Sequence, residues 1–220
     1  KDNYFSRRLF NLLNRNNIEW SFISEKTILE TTILKHNTNN IKIFFFHWNY
    51  IVPKKIYSNY ECINIHTSNL PNGKGGSPIQ NQIVNNVLFT KVNALKMTDK
   101  GLDAGPIYTS KKISLQGSLN DIWLVLVECA NTLINDILVK NLKPVEQEDG
   151  DYIIYKRRKD NKIPFENEED LIKIYDFIRM LDNKDYPTPF LEIGNFKLEF
   201  SRANFDGERI LSDVIIEKIN

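Results

Sequence analysis

The chain reads as an α/β protein: an open, mostly parallel twisted sheet with helices on its faces, followed by a small, mainly β carboxy-terminal appendix that carries one helix. Three observations lead there. Compact apolar runs at residues 41–46, 62–65 and 92–97 have the composition of strands buried on both faces. Segments with helical spacing of apolar residues lie between them, so strand, loop and helix alternate. Around Pro144 the alternation gives way to short strand-like runs separated by turn residues. The expected division is a core of residues 1–143 and an appendix of residues 144–220.

Taken in order, Phe5, Leu9, Leu12 and Leu13 recur at helical spacing, with Arg7, Arg8, Asn11 and Asn14 on the other faces. An α/β chain that opens on a helix is expected to lack a preceding strand. Residues 20–24 are a candidate short strand and residues 26–35 a helix, and Pro53 closes a turn over residues 48–51. Residues 77–85 are the next helical candidate. The longest is 119–139, with Ile122, Leu126, Ala130, Leu133 and Ile137 along one face. Ser118 or Asn120 is placed to cap its start. In the appendix, residues 152–155 predict a strand, 168–181 a helix and 187–189 a break. Residues 190–193 and 196–200 flank Gly194-Asn195, a hairpin signal, and Asp206-Gly207 precedes the apolar run 214–216.

A net charge of +1 on 220 residues gives no strong field toward DNA, tRNA or an acidic membrane. The run Lys156-Arg157-Arg158-Lys159 is the local exception, read either as a solvated strand end or as a phosphate or partner contact. Cys62 and Cys129 have neither metal spacing nor a disulfide framework, and both read as small buried hydrophobes. That usage suits a reducing cytoplasm. No apolar run approaches the roughly 18 residues of a membrane span, and no signal peptide is visible. The three histidines are scattered, so no metal site is expected.

Two stretches carry chemistry. One is Asn64-Ile65-His66 with the following Leu70-Pro71-Asn72-Gly73-Lys74-Gly75-Gly76-Ser77-Pro78; the other is Gly101-Leu102-Asp103-Ala104-Gly105-Pro106. Asn64 and His66 are two apart, so an extended strand puts amide and imidazole on one face. In open α/β sheets ligands bind beyond strand ends, which places the site in the loops after residues 46, 65 and 97. An amide can steady an oxyanion, an imidazole can move a proton, and a carboxylate can hold the imidazole; acyl transfer without a covalent enzyme intermediate needs those three. Each motif alone has a plainer reading. Asn-x-His at a strand end is often structural, Asn72 to Ser77 lacks the P-loop spacing, and Gly101 to Pro106 is also a turn.

In combination and order the motifs resemble the formyltetrahydrofolate-dependent formyltransferase family. The residues concerned are Asn64-Ile65-His66, Leu70-Pro71, Lys74-Gly75, Pro78 and Leu102-Asp103-Ala104-Gly105-Pro106-Ile107, and the likeness runs over residues 41–142. The details His47-Trp48-Asn49-Tyr50, Gly75 to Asn81 and Phe177 to Asp182 are similar to its nucleotide-sugar branch. The resemblance implies a Rossmann-like core and a cytoplasmic enzyme. That enzyme would transfer a formyl group from N10-formyltetrahydrofolate to a UDP- or TDP-linked amino sugar, such as a 4-amino-4,6-dideoxyhexose, for surface glycan synthesis. By the same resemblance Asn64, His66 and Asp103 are catalytic. His47, Trp48, Asn49, Tyr50, Ile51, Lys100, Gly101 and Leu102 would hold the folate. Thr67, Lys74, Gly75, Gly76 and Ser77 would meet the acceptor. His47 and Trp48 read equally as core aromatics, and Lys74 as an exposed loop lysine. The resemblance implies no nucleic-acid or membrane partner, while an appendix of this kind often serves pairing and implies a homodimer. The other readings are a formyltetrahydrofolate hydrolase, a formyltransferase acting on glycinamide ribonucleotide or methionyl-tRNA, and a non-catalytic nucleotide-sugar binder.

Overall fold

The computed structural model describes residues 2–15, 18–35, 41–165 and 170–219. They form two compact units, the first made of Lys1–Gly75, Thr90–Ile113 and Leu124–Ile154, the second of Gly76–Phe89, Ser114–Trp123 and Tyr155–Asn220.

The first unit opens on α1 (Tyr4–Leu13), started by Asn3, whose side chain accepts from the Ser6 amide at 2.9 Å. Phe5, Leu9 and Leu13 are its buried stripe. Helix α2 (Lys26–Lys35) follows, and Leu29 and Ile33 on it join Phe45, Val52, Ile56 and Cys62 in one apolar cluster. Strand β1 (Lys42–Phe45) runs parallel to β2 (Glu61–Thr67), with the short helix α3 (Lys54–Tyr57) between them. Residues 20–24 have no regular secondary structure, so the short strand expected there does not form. A cavity of about 460 Å³ lies beside β1, lined by apolar side chains that include Leu9, Trp20, Phe22, Phe44 and Trp48.

The four-stranded sheet has the order β1-β2-β4-β5, with β4 at Phe89–Lys96 and β5 at Ile107–Ser114. The expected fold class holds, but the sheet is mixed. Thr67 stands opposite Val92 and Ile63 opposite Lys96, which makes β2 and β4 antiparallel. The cause is the connection: helix α4 (Pro78–Val84) has seven residues, and the chain re-enters the sheet at the end where β2 left it. Strand β5 was not foreseen, because Ile107-Tyr108-Thr109-Ser110-Lys111-Lys112-Ile113-Ser114 lacks a continuous apolar run. A two-residue strand, β3 (Lys74–Gly75), pairs with β6 (Ile154–Tyr155).

Helix α5 (Leu119–Lys140) is capped by Ser118, whose Oγ accepts from the Asp121 amide at 3.2 Å while the Asp121 carboxylate accepts from the Ser118 amide at 2.9 Å. It reaches the length and apolar content of a membrane span, against the expectation above. Half of that stretch is buried inside the protein, and Ile122, Leu126, Ala130, Leu133 and Ile137 each belong to the core. In the second unit, α6 (Leu171–Arg179) starts at Asp170; residues 168–169 of the expected helix lie outside the described residues. Arg179 is buried and donates to Asp176 at 2.6 Å and to the carbonyls of Leu115 and Gly117 at 2.6 and 3.0 Å. The expected hairpin is β7 (Phe190–Ile193) and β8 (Phe196–Phe205), extended by antiparallel β9 (Ile210–Lys218).

Cys62 is fully buried and Cys129 is 4% exposed. Burial pushes the Cys62 thiol up to about 12 and raises that of Cys129 as well. Both are expected to resist alkylation at neutral pH in the folded protein and to react fully in urea, as read by intact mass. Labelling of Cys62 without denaturant would overturn its placement in the apolar cluster.

Candidate active site

The site is built around the middle of β2. Strand β1 ends where Phe45 faces Asn64, and β2 runs on past it to Thr67. Asn64 and His66 both lie within β2, which extends two residues past the run 62–65 read from the sequence, and share the face that an extended strand gives them. Their spacing turns both side chains toward the same carboxylate, which the loop after β4 delivers. Asp103 accepts from Asn64 Nδ2 at 3.0 Å through Oδ1 and from the Gly75 amide at 3.1 Å through Oδ2. His66 Nδ1 lies 3.4 Å from the same Oδ2. With 6% and 8% exposure, His66 and Asp103 are shielded from water, which strengthens their electrostatic contact.

The other ring nitrogen of His66, Nε2, is 3.0 Å from the carbonyl of Gly73. A carbonyl only accepts, so Nε2 is the donor there. Gly73 is itself held, because its amide donates to the carbonyl of Ile153 at 2.8 Å and the Ile153 amide donates to Asn72 Oδ1 at 3.2 Å. On the strand side, buried Asn93 faces His66 across the ladder. It donates to the carbonyl of Ser68 at 2.7 Å and accepts from Ser110 Oγ at 2.7 Å. Asn93 and the Gly73 carbonyl were not singled out in the sequence. An asparagine inside an apolar strand is the one local signal that marks the first.

Asp103 has φ +52, a left-handed conformation in a turn that folds back on β4. An added Cβ at Gly105 would stand 1.8 Å from the Lys96 carbonyl oxygen, so only glycine allows that approach. The Lys96 amide donates to the carbonyl of Pro106 at 2.9 Å and closes the turn.

Lys54, shortly after the first segment expected to hold folate, has its Nζ 3.5 Å from Oδ2 of Asp99, just before the second. Tyr50, Ile51 and Leu102 expose 53, 75 and 61% of their surface. Trp48 is partly buried, meets Phe45 edge-on at 5.6 Å and packs on the apolar cluster. His47 has φ +53, and its Nδ1 is 3.0 Å from Asn3 Nδ2. Asn49 and Gly101 are exposed. Lys100 pairs with Glu146 at 2.9 Å, a hydrogen bond that raises its ammonium pKa.

The residues expected to meet an acceptor are not gathered in this way. Thr67 is buried in β2. Lys74 Nζ sits over the Tyr152 ring at 5.7 Å. Gly75 serves Asp103 through its amide. Gly76 and Ser77 belong to the second unit. There the Gly76 amide donates to the Tyr155 carbonyl at 2.9 Å, and Ser77 Oγ accepts from the Arg158 amide at 3.1 Å. The bare face of Gly76 is met by the Arg157 backbone, 2.9 Å from an added Cβ, so this glycine admits the protein's own chain. Among the described residues no three His, Cys, Asp or Glu side chains group to hold a metal.

Comparison with known proteins narrows the reading. A family model described as the carboxy-terminal domain of methionyl-tRNA formyltransferase matches residues 158–217. The methionyl-tRNA formyltransferase of Wolbachia pipientis subsp. Culex pipiens is 32% identical over 164 residues, which are 71% of this chain and 52% of that protein. The one from a Nitratiruptor species is 39% identical over 121 residues, 52% of this chain and 40% of that protein. The chain thus spans about half the length of the curated relatives it matches. The structure of a methionyl-tRNA formyltransferase from Clostridium thermocellum is 33% identical, covers 99% of this chain and 96% of its own, and superposes with a TM-score of 0.88.

These findings overturn the nucleotide-sugar reading and, with it, the exclusion of nucleic acid as a partner. A 4-N formyltransferase from Francisella tularensis is 20% identical with a TM-score of 0.57, covering 78% of this chain and 72% of its own, a likeness of fold alone. The physical reason for the error is that net charge averages over the whole chain. The summed charge was given more weight than the basic run, in which Lys156, Arg157 and Lys159 are exposed.

Proposed function

The chain belongs to the methionyl-tRNA formyltransferase family, and on that premise we propose that it transfers the formyl group of N10-formyltetrahydrofolate to the α-amine of methionyl-tRNA. The observation that carries this reading is the meeting of Asn64, His66 and Asp103 from β2 and the loop after β4, with Asn64 hydrogen-bonded to the Asp103 carboxylate and His66 Nδ1 3.4 Å from it. The amine nitrogen bonds to the formyl carbon, the bond from that carbon to N10 breaks, and one proton passes from the amine to N10.

Asn64 spends one Nδ2 hydrogen on Asp103 and keeps a second for the formyl oxygen as it gains charge. A donor so placed is worth about 2.7–4 kcal/mol. His66 moves the proton. To do so its ring must leave the Gly73 carbonyl and take the tautomer with hydrogen on Nδ1, facing Asp103, which frees Nε2 to accept from the amine; Asp103 then steadies the positive ring. Formyltetrahydrofolate supplies the activated formyl group and no metal is needed; exposed Tyr50, Ile51 and Leu102 are suited to cover its flat ring. The exposed basic run supplies charge for tRNA phosphates, a contact that weakens with salt. Residues 1–143 as the catalytic core and 144–220 as an accessory domain belong to the same proposal, supported by the carboxy-terminal family match.

The test is to incubate the purified protein with formyltetrahydrofolate and charged methionyl-tRNA and to measure N-formylmethionine released on deacylation. Formylation that depends on the tRNA is the expected result. Formate released at the same rate without any acceptor would replace transfer by hydrolysis.

A further inference from the structure

Gln147 stands in the stretch after α5, outside every motif read from the sequence. Its Nε2 donates two hydrogen bonds of 2.8 Å each, one to the carbonyl of Asp103 and one to the carbonyl of Gly105. The amide orientation is settled by chemistry, because the reverse flip would set Oε1 against two carbonyl oxygens. Oε1 itself is buried with no hydrogen-bond partner among the described residues, so the side chain is held by its NH₂ end. Two residues earlier, Val145 and Ile107 exchange backbone hydrogen bonds of 2.8 and 2.9 Å, which anchor Gln147 beside the turn.

The clamped backbone is the strained one. Asp103 has φ +52 and depends on its surroundings to keep that conformation. The turn is pressed on its other side by the Lys96 carbonyl against Gly105. We infer that Gln147 is a positioning residue: its amide holds the Asp103–Gly105 turn in the one conformation that aims the Asp103 carboxylate at Asn64 and His66. The inference rests on the proposed role of Asp103 in formyl transfer, but the clamp itself is a statement about geometry and has a readout that needs no activity.

Gln147→Met keeps length and bulk and removes both donors; Gln147→Lys restores donors without the amide. The methionine variant is expected to lose about 100-fold in kcat, with KM for both substrates unchanged within about twofold and thermal stability near wild type. The lysine variant is expected to recover most of that loss. In parallel, hydrogen exchange at the Gly75 amide, which Asp103 Oδ2 holds, is expected to quicken about tenfold in the methionine variant alone. Wild-type kcat and unchanged Gly75 exchange in Gln147→Met would overturn the clamp, as would equal losses in the methionine and lysine variants. A wild-type protein that forms no formylmethionyl-tRNA would instead sink the functional reading; the Gly75 exchange then decides the clamp by itself.

Discussion

His66→Ala is expected to lower formyl transfer by about 100- to 10,000-fold, the range over which a positioned general acid–base acts. Asn64→Ala should lose about 100- to 1,000-fold for want of its hydrogen to the reacting oxygen. The protein should still fold. Removing the imidazole leaves Asp103 Oδ2 with the Gly75 amide and Oδ1 with Asn64. The orphaned Gly73 carbonyl and the small void then cost about 1–3 kcal/mol. Near-ultraviolet circular dichroism and single-turnover formylation separate the two effects. Turnover close to wild type in His66→Ala would defeat the mechanism.

Gly105→Ala is expected to be the most disruptive change outside the three catalytic side chains. The added methyl would meet the Lys96 carbonyl at 1.8 Å, and neither partner can swing aside. Lys96 is tied to Pro106 through its amide, and the Gly105 carbonyl is tied to Gln147. Relief must come from the turn as a whole, which carries Asp103. The expected cost is about 1–3 kcal/mol of overpacking strain, with a loss of about 100-fold in kcat as the carboxylate is displaced. Gly194→Ala is the control. Gly194 has φ +57 with nothing within 4 Å, so it should cost about 1 kcal/mol and leave formylation intact. A Gly105→Ala enzyme as active and as stable as the control would show that the turn yields freely.

Several parts of this protein were legible as text. Helix α2 has the bounds read from its pattern, and α5 and the β7–β8 hairpin come within a few residues of theirs. Each rests on neighbours in sequence: apolar spacing, a capping serine, a glycine in a tight turn. Trp20 to Ser24 is no strand because a strand is a pairing, and no strand hydrogen-bonds to it among the described residues. Strand β5 was missed for the converse reason: its neighbour β4 makes a strand of a sequence that shows no strand pattern. The acceptor reading rested on short likenesses at residues 47–50, 75–81 and 177–182, and similarity over nearly the whole chain to a methionyl-tRNA formyltransferase structure overturned it.

What the sequence determined alone was the chemistry on offer. An amide and an imidazole two apart must share a face of an extended strand, because side chains alternate. The tertiary structure alone decided that Asp103 closes on both, that Gly73 caps the imidazole, and that Gln147 grips the turn. Those contacts span up to 44 residues and join β2 to the loop after β4, and that loop to the stretch after α5. Local pattern has no term for such pairings, since their energy arises only when distant segments are packed side by side.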